Sequence, residues 1–462
     1  LEGGFEMKKI LSYALVGGAL FYSSLSFAAG KTLNVPSEHK TIQAAIDAAA
    51  NGDLIKVAAG RYKENIMLKE GIIIQGAGAD VTTIDGGGKG NVVEGAKGAV
   101  IEGFTITNSG KQGITGTKMD VGISAAHSPM TIANCRIVGN NTGIRTYFSP
   151  SNIVNNIIAD NKVYGLYILY SDSSIKNNVI SDNASYGIYN SYSNPEIINN
   201  TILKNFDGIY SEVSRVVVRN NIVVNNNSAG IHWVEFPDAQ NEKVAPVLSY
   251  NLVWGNKNDY VNVSQAKGDI SRNPLLADIS RRDLHLKKGS PAVNAGSDDR
   301  NDNDPDGTRN DMGAYGGPLS LKNIPSPTKG LSFASLKINL ETLAEPDYST
   351  HAVWKEGTSS GEGNFKEYCV TCHGALGKGD GLVGETLDIK PRDLSYAEYM
   401  QNLSDEHIFK VIKEGGASVG LSENMIPIGP DLSDEAIRNI IAYIRSNICK
   451  CRYVGEATVE KK

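Results

Sequence analysis

The pattern Ile-x-Asn-Asn-x-Ile-x-x-Asn recurs through the middle of this chain. Its copies begin at Ile132, Ile153, Ile175, Ile197 and Val218, in steps of 21, 22, 22 and 21 residues. A Gly-Ile or Gly-Leu pair keeps the same beat at Gly122, Gly143, Gly165, Gly187, Gly208 and Gly230. A fixed period of this length means a stack of like units, each burying its apolar side against its neighbours. Helical solenoids have longer periods, and a leucine-rich repeat would show a leucine frame. Here short β-branched runs alternate with Asn, Ser and Gly, the pattern of strands and tight turns. About 22 residues make one coil of three short strands, and stacked coils pair each strand in parallel with those above and below. The isoleucines fill the bore, and the asparagines stack as an internal amide ladder. Cys135 replaces Asn at a ladder position and reads as a buried, structural thiol.

The repeats resemble a right-handed parallel β-helix of the pectin-lyase-like type. The entry segment extends the likeness: Thr41-Ile-Gln-Ala-Ala-Ile-Asp-Ala-Ala-Ala50 is an amphipathic helix, followed by Gly52-Asp-Leu-Ile-Lys-Val57 and Gly71-Ile-Ile-Ile-Gln-Gly76. Such a helix caps the open end of the stack, which would otherwise expose a sheet edge. Tyr167, Tyr189 and Tyr210 fall in register on successive coils, flanked by Arg145 and His232. That stripe is a neighbour-contact ladder, a platform for a polysaccharide or protein, or a path for electron hopping. Polysaccharide lyases of this architecture use a basic residue beside acidic ones. Here only Arg145, Asp172, Glu212 and Arg215 offer themselves, with no spacing that singles them out. Near the end of the repeats, Asp302-x-Asp304-x-Asp306-Gly307 has the alternation of the first half of a calcium loop. It reads either as a Ca2+ site or as a solvated acidic turn.

The second constraint is Cys369-Val-Thr-Cys372-His373-Gly374. Two thiols on one helical turn, followed at once by an imidazole, form the attachment signature of a c-type haem. The thiols add across the vinyl groups, the imidazole lies beneath the ring, and the distal ligand comes from elsewhere. The stretch to Gly381, then Lys390-Pro391-Arg392-Asp393-Leu394, Met425-Ile-Pro-Ile-Gly429 and Ile441-Ala-Tyr-Ile-Arg445, resembles the class I mono-haem cytochromes c. The resemblance implies one covalent haem c on Cys369 and Cys372, with His373 and Met425 as axial ligands. Met400 reads as a core gap-filler, and His351 and His407 as surface imidazoles. For Cys449 and Cys451, one residue apart, a mutual disulfide implies strain; pairing between molecules is the alternative.

The fold expected is therefore multidomain, an all-β solenoid followed by a small all-α cytochrome c domain. Residues 1–28 read as a signal peptide starting at Met7, with a basic start, an apolar core and small residues at the cleavage point. Residues 31–318 form the β-helix, 319–345 a proline-broken linker, 346–450 the cytochrome domain and 451–462 a tail. No later apolar run is long enough to span a membrane. Residues 346–462 hold 13 basic and 18 acidic side chains. An acidic haem domain beside a near-neutral body argues against nucleic acid and for a redox partner with a basic patch. The function expected is electron transfer by an exported periplasmic or cell-surface cytochrome, with the β-helix as scaffold or binding arm. The alternative is a polysaccharide-active or polysaccharide-binding β-helix served by an accessory haem domain.

Overall fold

The computed structural model describes residues 30–113, 119–234 and 245–320, and residues 361–453 except 382–383, 385–386, 388, 423 and 429–431. The expected signal segment, most of the linker, His351 and the end of the tail lie outside the described residues.

The repeat builds three parallel sheets of ten, nine and nine strands. One coil runs Asn152–Val154, Ile157–Ala159 and Leu166–Leu169, and the next repeats it at Ser174–Lys176, Val179–Ser181 and Ile188–Ser191. The registers stack like on like. Ile153 pairs with Ile175 and Ile175 with Ile197; Ile158 pairs with Ile180 and Ile180 with Ile202; Leu166 pairs with Ile188 and Ile188 with Ile209. All nine are fully buried, so three apolar columns fill the bore.

Each corner of the coil turns on a residue in the left-handed region. At the first corner this is Asn155, Asn177, Asn199 and Asn220, and at the second Asp160, Asp182, Lys204 and Asn225. Asn and Asp tolerate that conformation best after glycine. The residue after each turn then points inward. Asn156, Asn178, Asn200, Asn221 and Asn251 donate in sequence, each side-chain amide to the next side-chain carbonyl, at 3.0 to 3.1 Å. Asn161, Asn183, Asn205, Asn226 and Asn256 do the same at the second corner. The third corner carries a serine ladder, in which the hydroxyls of Ser171, Ser193 and Ser214 accept from the backbone N–H of Ser149, Ser171 and Ser193. Gly165 is needed for close approach, since a Cβ there would meet the Gly187 carbonyl at 2.5 Å. Cys135 is a free, buried thiol at the head of the first ladder, and its N–H donates to Asn156 Oδ1.

Helix Ile42–Ala48 closes the open end. Its Ile42, Ala45 and Ile46 are buried, and Thr41 caps it. The Glu64 carboxylate, from the next coil, accepts from the N–H groups of Ile42 and Gln43, where a negative charge is favoured. At the other end a hairpin of Leu276–Asp278 and Asp283–Leu286 is followed by a strap that runs back along the outside of the first corner. Asn177 donates to the carbonyls of Ala314 and Gly316, Asn199 donates to that of Asp311, and Asn220 Oδ1 accepts from the Ser297 N–H.

The second body is helical. Helix Gly361–Tyr368 crosses helix Asp434–Tyr443 so closely that a Cβ at Gly361 would collide with the Asn439 carbonyl. Ser404 and Ser433 cap their helices through the N–H groups of His407 and Ala436. Phe365, Met400, Ile408, Ile412, Ile437, Ile440 and Ile441 form the core. Beyond the last helix, Cys449 and Cys451 form a disulfide within the chain, with Cα atoms 5.2 Å apart. Lys450, between them, adopts the left-handed conformation (φ 49°) and folds the chain back so that the sulfurs meet. Among the described residues no helix is long and apolar enough to cross a membrane.

Candidate functional site

Cys369 follows helix Gly361–Tyr368 directly and continues its path. Its N–H donates to the Phe365 carbonyl, and the N–H of His373 donates to the Cys369 carbonyl at 2.8 Å. Cys369, Cys372 and His373 therefore lie on one turn. Gly374 ends that turn in a left-handed conformation (φ 76°), and a Cβ there would collide with the Asp380 carboxylate. The glycine-rich loop that follows returns the chain, with Gly379 N–H donating to His373 O and Leu394 N–H to Gly377 O. This return gives the Lys390-Pro391-Arg392-Asp393-Leu394 stretch its role. It lays the Arg392 carbonyl 3.0 Å from His373 Nδ1. A carbonyl can only accept, so Nδ1 carries the proton and Nε2 keeps a free lone pair for a metal.

Both thiols are free of any disulfide. Burial pushes the Cys369 thiol up to about 12, with Cys372 adding to the effect, and burial also raises Cys372. Neutral buried thiols are poor redox dithiols, which need a lowered pKa. A zinc site needs further donors, and among the described residues no three His, Cys, Asp or Glu side chains converge on one ion. Burial lowers the His373 pKa, against the opposing pull of the Arg392 carbonyl, so the imidazole is held neutral. Two thiols and a neutral imidazole on one turn fit covalent haem. Met425 packs, half-buried, against the same core that contains Cys369, and its carbonyl accepts from Gly416 N–H. Met400 is fully buried in that core, and its carbonyl accepts from Arg445. His407 sits in the first turn of its helix, half exposed.

Asp302, Asp304 and Asp306 are not brought together. Asp302 pairs with Arg219, Asp304 accepts from the N–H groups of Asp311 and Gly317, and Asp306 accepts from Thr308. The stretch belongs to the strap: Asp304 and Asp306 accept from backbone N–H groups, and Asp302 pairs with the Arg219 side chain.

The tyrosine stripe is larger than three residues, and it is covered. Tyr167 stacks on Tyr189 with ring centroids 5.0 Å apart, and Tyr189 stacks on Tyr210 at 5.4 Å. A flanking column stacks Tyr164 on Tyr186, and the third corner stacks Phe148, Tyr170 and Tyr192. The column begins at Arg145, which is buried with its guanidinium over the Tyr147 ring. Tyr167 and Tyr189 point away from the bore, yet only 4% and 2% of their surface is exposed. The helical body meets the adjoining corner column. Tyr170 Oη donates to the Lys366 carbonyl at 2.7 Å, one turn before Cys369, and Tyr192 packs against the helical core. Burial, then neighbouring groups that include Cys372 for Tyr167 and Cys369 for Tyr170, raises these phenols above their ordinary range. Tyr167 and Tyr189 are therefore buried in a neighbour-contact ladder, one of the readings the sequence offered, while Tyr210 remains half-buried.

The sequence singles out Glu212, Tyr210 and His232 separately, but not Asp207 or their convergence at the far end of the stripe. Glu212 accepts from Tyr189 at 2.6 Å and Tyr210 at 3.0 Å. Asp207 Oδ2 lies 2.9 Å from His232 Nδ1, and the His232 ring stands edge-on to Tyr210. The signal was present: Asp207 precedes a repeat glycine and His232 continues the tyrosine register. Asp172 and Arg215 lie apart from this cluster, each bonded to Asn194 on the adjoining corner.

Comparison with known proteins agrees with both halves. Residues 70–193 and 121–273 match the family described as right handed beta helix region. Residues 356–444 match the family described as cytochrome C oxidase, cbb3-type, subunit III. The chain therefore joins a right-handed parallel β-helix to a cytochrome c domain, whose chemistry is electron transfer through a covalent haem. No curated protein matches the chain. Among solved structures, pectate lyase Pel9A is similar at 14% identity over 63% of this chain and 97% of that one, with a TM-score of 0.46. The pectin methylesterase of Yersinia enterocolitica is similar at 13% identity over 51% and 94%, with a TM-score of 0.32. The A-module of the Azotobacter vinelandii mannuronan C-5 epimerase AlgE4 is similar at 18% identity over 50% and 92%, with a TM-score of 0.30.

Proposed function

We propose that the chain is an exported c-type cytochrome that passes single electrons to and from a redox protein, with the β-helix as its scaffold. Residues 1–28 serve as the export signal, 31–318 as the scaffold, 319–345 as the tether and 346–450 as the haem domain. The Cys369 and Cys372 thiols each add S–H across one vinyl group, so no atom is lost. His373 offers Nε2 from the proximal side and Met425 its thioether sulfur from the distal side. When bound, the haem iron supplies the Fe(III)/Fe(II) couple. The observation that carries the reading is the His373 Nδ1 contact with the Arg392 carbonyl, beside the buried Cys369 thiol and the half-buried Cys372 thiol, both raised by burial. A filled coordination shell suits a carrier rather than a catalyst. The acidic balance of the haem domain suits a partner with a basic patch.

The test is an optical one, on the full chain made in a host with haem-attachment machinery. The wild type is expected to bind no CO in the reduced state and to show the weak far-red band of methionine–iron ligation when oxidised. Met425→Ala is expected to lose that band and bind CO. CO binding by the wild type would show an open iron and displace the carrier reading in favour of a reaction at the metal.

A second reading, polysaccharide binding by the β-helix, is favoured by the Asp207–His232 pair beside Tyr210 and Glu212. An aromatic face flanked by a hydrogen-bonding acid and imidazole is the make-up of a sugar subsite. Retention on immobilised neutral and acidic polysaccharides tests it. His232→Ala is expected to weaken retention about tenfold, the loss of one polar contact worth about 1.4 kcal/mol. Failure of the wild type to bind any of them ends this reading.

A further inference from the structure

We propose that Tyr167, Tyr170 and Tyr192 of the β-helix form one wall of the haem site, so that the thioether edge of the haem is enclosed between the two domains. The inference rests on haem attachment at Cys369 and Cys372.

Four observations converge. The Tyr170 phenol is hydrogen-bonded to the carbonyl of Lys366, in the last turn before the attachment turn. Tyr192, from the same corner one coil on, packs against the cluster that contains Phe365 and Cys369. Tyr167 is sealed from solvent although its side chain leaves the bore. The Cys369 thiol lies in that same buried cluster, three residues beyond Lys366, and Cys372 follows on the same turn. The haem edge is tied to those two sulfurs by one bond each, so it cannot lie far from the same tyrosines.

Backbone conformation supports the reading from the other side. Phe148, Tyr170 and Tyr192 sit at φ 45°, 49° and 48°. A bulky side chain is disfavoured in the left-handed region, where Asn or Gly is better tolerated, as at the first corner. The aromatic rings are therefore not chosen for the turn. Stacked at 4.6 and 5.2 Å, they build a continuous column across three coils on the side where the helical body rests.

An enclosed edge has a consequence that can be measured. Ferric haem carries one more positive charge than ferrous haem, so keeping water from the edge disfavours the ferric state and raises the potential. Opening the wall lowers it. The tyrosines also deny this edge to a protein partner, which must approach another rim of the haem while the domains are joined.

The test uses the full haem-loaded chain with a protease recognition sequence placed within residues 321–345, compared with the Tyr170→Phe/Tyr192→Ser double variant. Haem per chain and far-UV circular dichroism should match between them, which keeps a folding defect distinct from an opened wall. After cutting, the wild-type halves are expected to travel together on size exclusion and the variant halves to separate. The midpoint potential of the uncut variant is expected to lie below that of the uncut wild type. Wild-type halves that separate on cutting, or equal potentials with haem attached in both, would overturn the enclosed edge while leaving haem attachment intact. A wild type that carries no haem after denaturation would remove haem attachment itself, and this inference with it.

Discussion

Replacing both Cys369 and Cys372 by serine is expected to abolish haem that survives denaturation. Haem staining of a denaturing gel should fall from one band at the size of the chain to none. The two sulfurs are the only thiols on the attachment turn, and the remaining free thiol among the described residues, Cys135, is buried in the β-helix bore. A hydroxyl cannot take the place of the thiol in the addition, so the loss should be complete rather than graded. The single variants discriminate further, since each leaves one thiol able to add across one vinyl group. Persistence of the stain in the double variant would refute attachment at this motif. The β-helix should be unaffected, because its columns and ladders are closed within themselves. The haem domain should lose stability as well, since a small helical domain draws much of its core from the bound group. His373→Ala is the useful companion, because covalent attachment and iron ligation then come apart.

How far the sequence carried depends on the range of the interaction. The β-helix was legible because each coil repeats its neighbour: one period reveals the strands, the bore and the first Asn ladder together. Helix capping, as at Ser404 and Ser433, is local in the same way, because it acts over three residues. The attachment turn was legible for the same reason. What stayed hidden depended on distant parts of the chain. Nothing local marks Asp302, Asp304 and Asp306 as a strap, because their partners, Arg219 among them, lie far back in the repeats. The alternation of carboxylates has the look of a metal loop, whereas in the fold Asp302 pairs with Arg219 and Asp304 and Asp306 accept from backbone N–H groups. The serine ladder did leave a trace, at Ser149, Ser171, Ser193 and Ser214, which the more prominent Asn-Asn pairs overshadowed. The tyrosines stood out as a column, while the docking of the helical body on the adjoining corner column could not be read from the repeats. Docking joins residues 196 positions apart, Tyr170 and Lys366, and leaves no periodic mark.

The largest stability effect belongs at the centre of the first Asn ladder. Asn178→Ala is expected to destabilise the β-helix by about 3–5 kcal/mol. The Asn178 amide donates to the carbonyls of Ile153 and Lys176 and to Asn200 Oδ1, while its oxygen accepts from the backbone and side-chain N–H groups of Asn156. Alanine removes both ends and leaves buried groups of Asn156 and Ile153 without partners. Each such group costs roughly 1–3 kcal/mol, whereas a hydrogen bond is worth only about 1 kcal/mol net. The penalty therefore comes from the abandoned partners. Asn178→Asp should be no better, because a carboxylate cannot donate to Ile153 or Asn200 and would be a buried charge. Asn258→Ala, at an exposed position of the last full coil, is the control and should stay within about 0.5 kcal/mol of wild type. Denaturant midpoints of the three variants decide the matter, read as midpoints because a stack of coils need not unfold in one step. If Asn178→Ala melts with the control, the ladder is a consequence of the stacking and the apolar columns alone hold the coils in register.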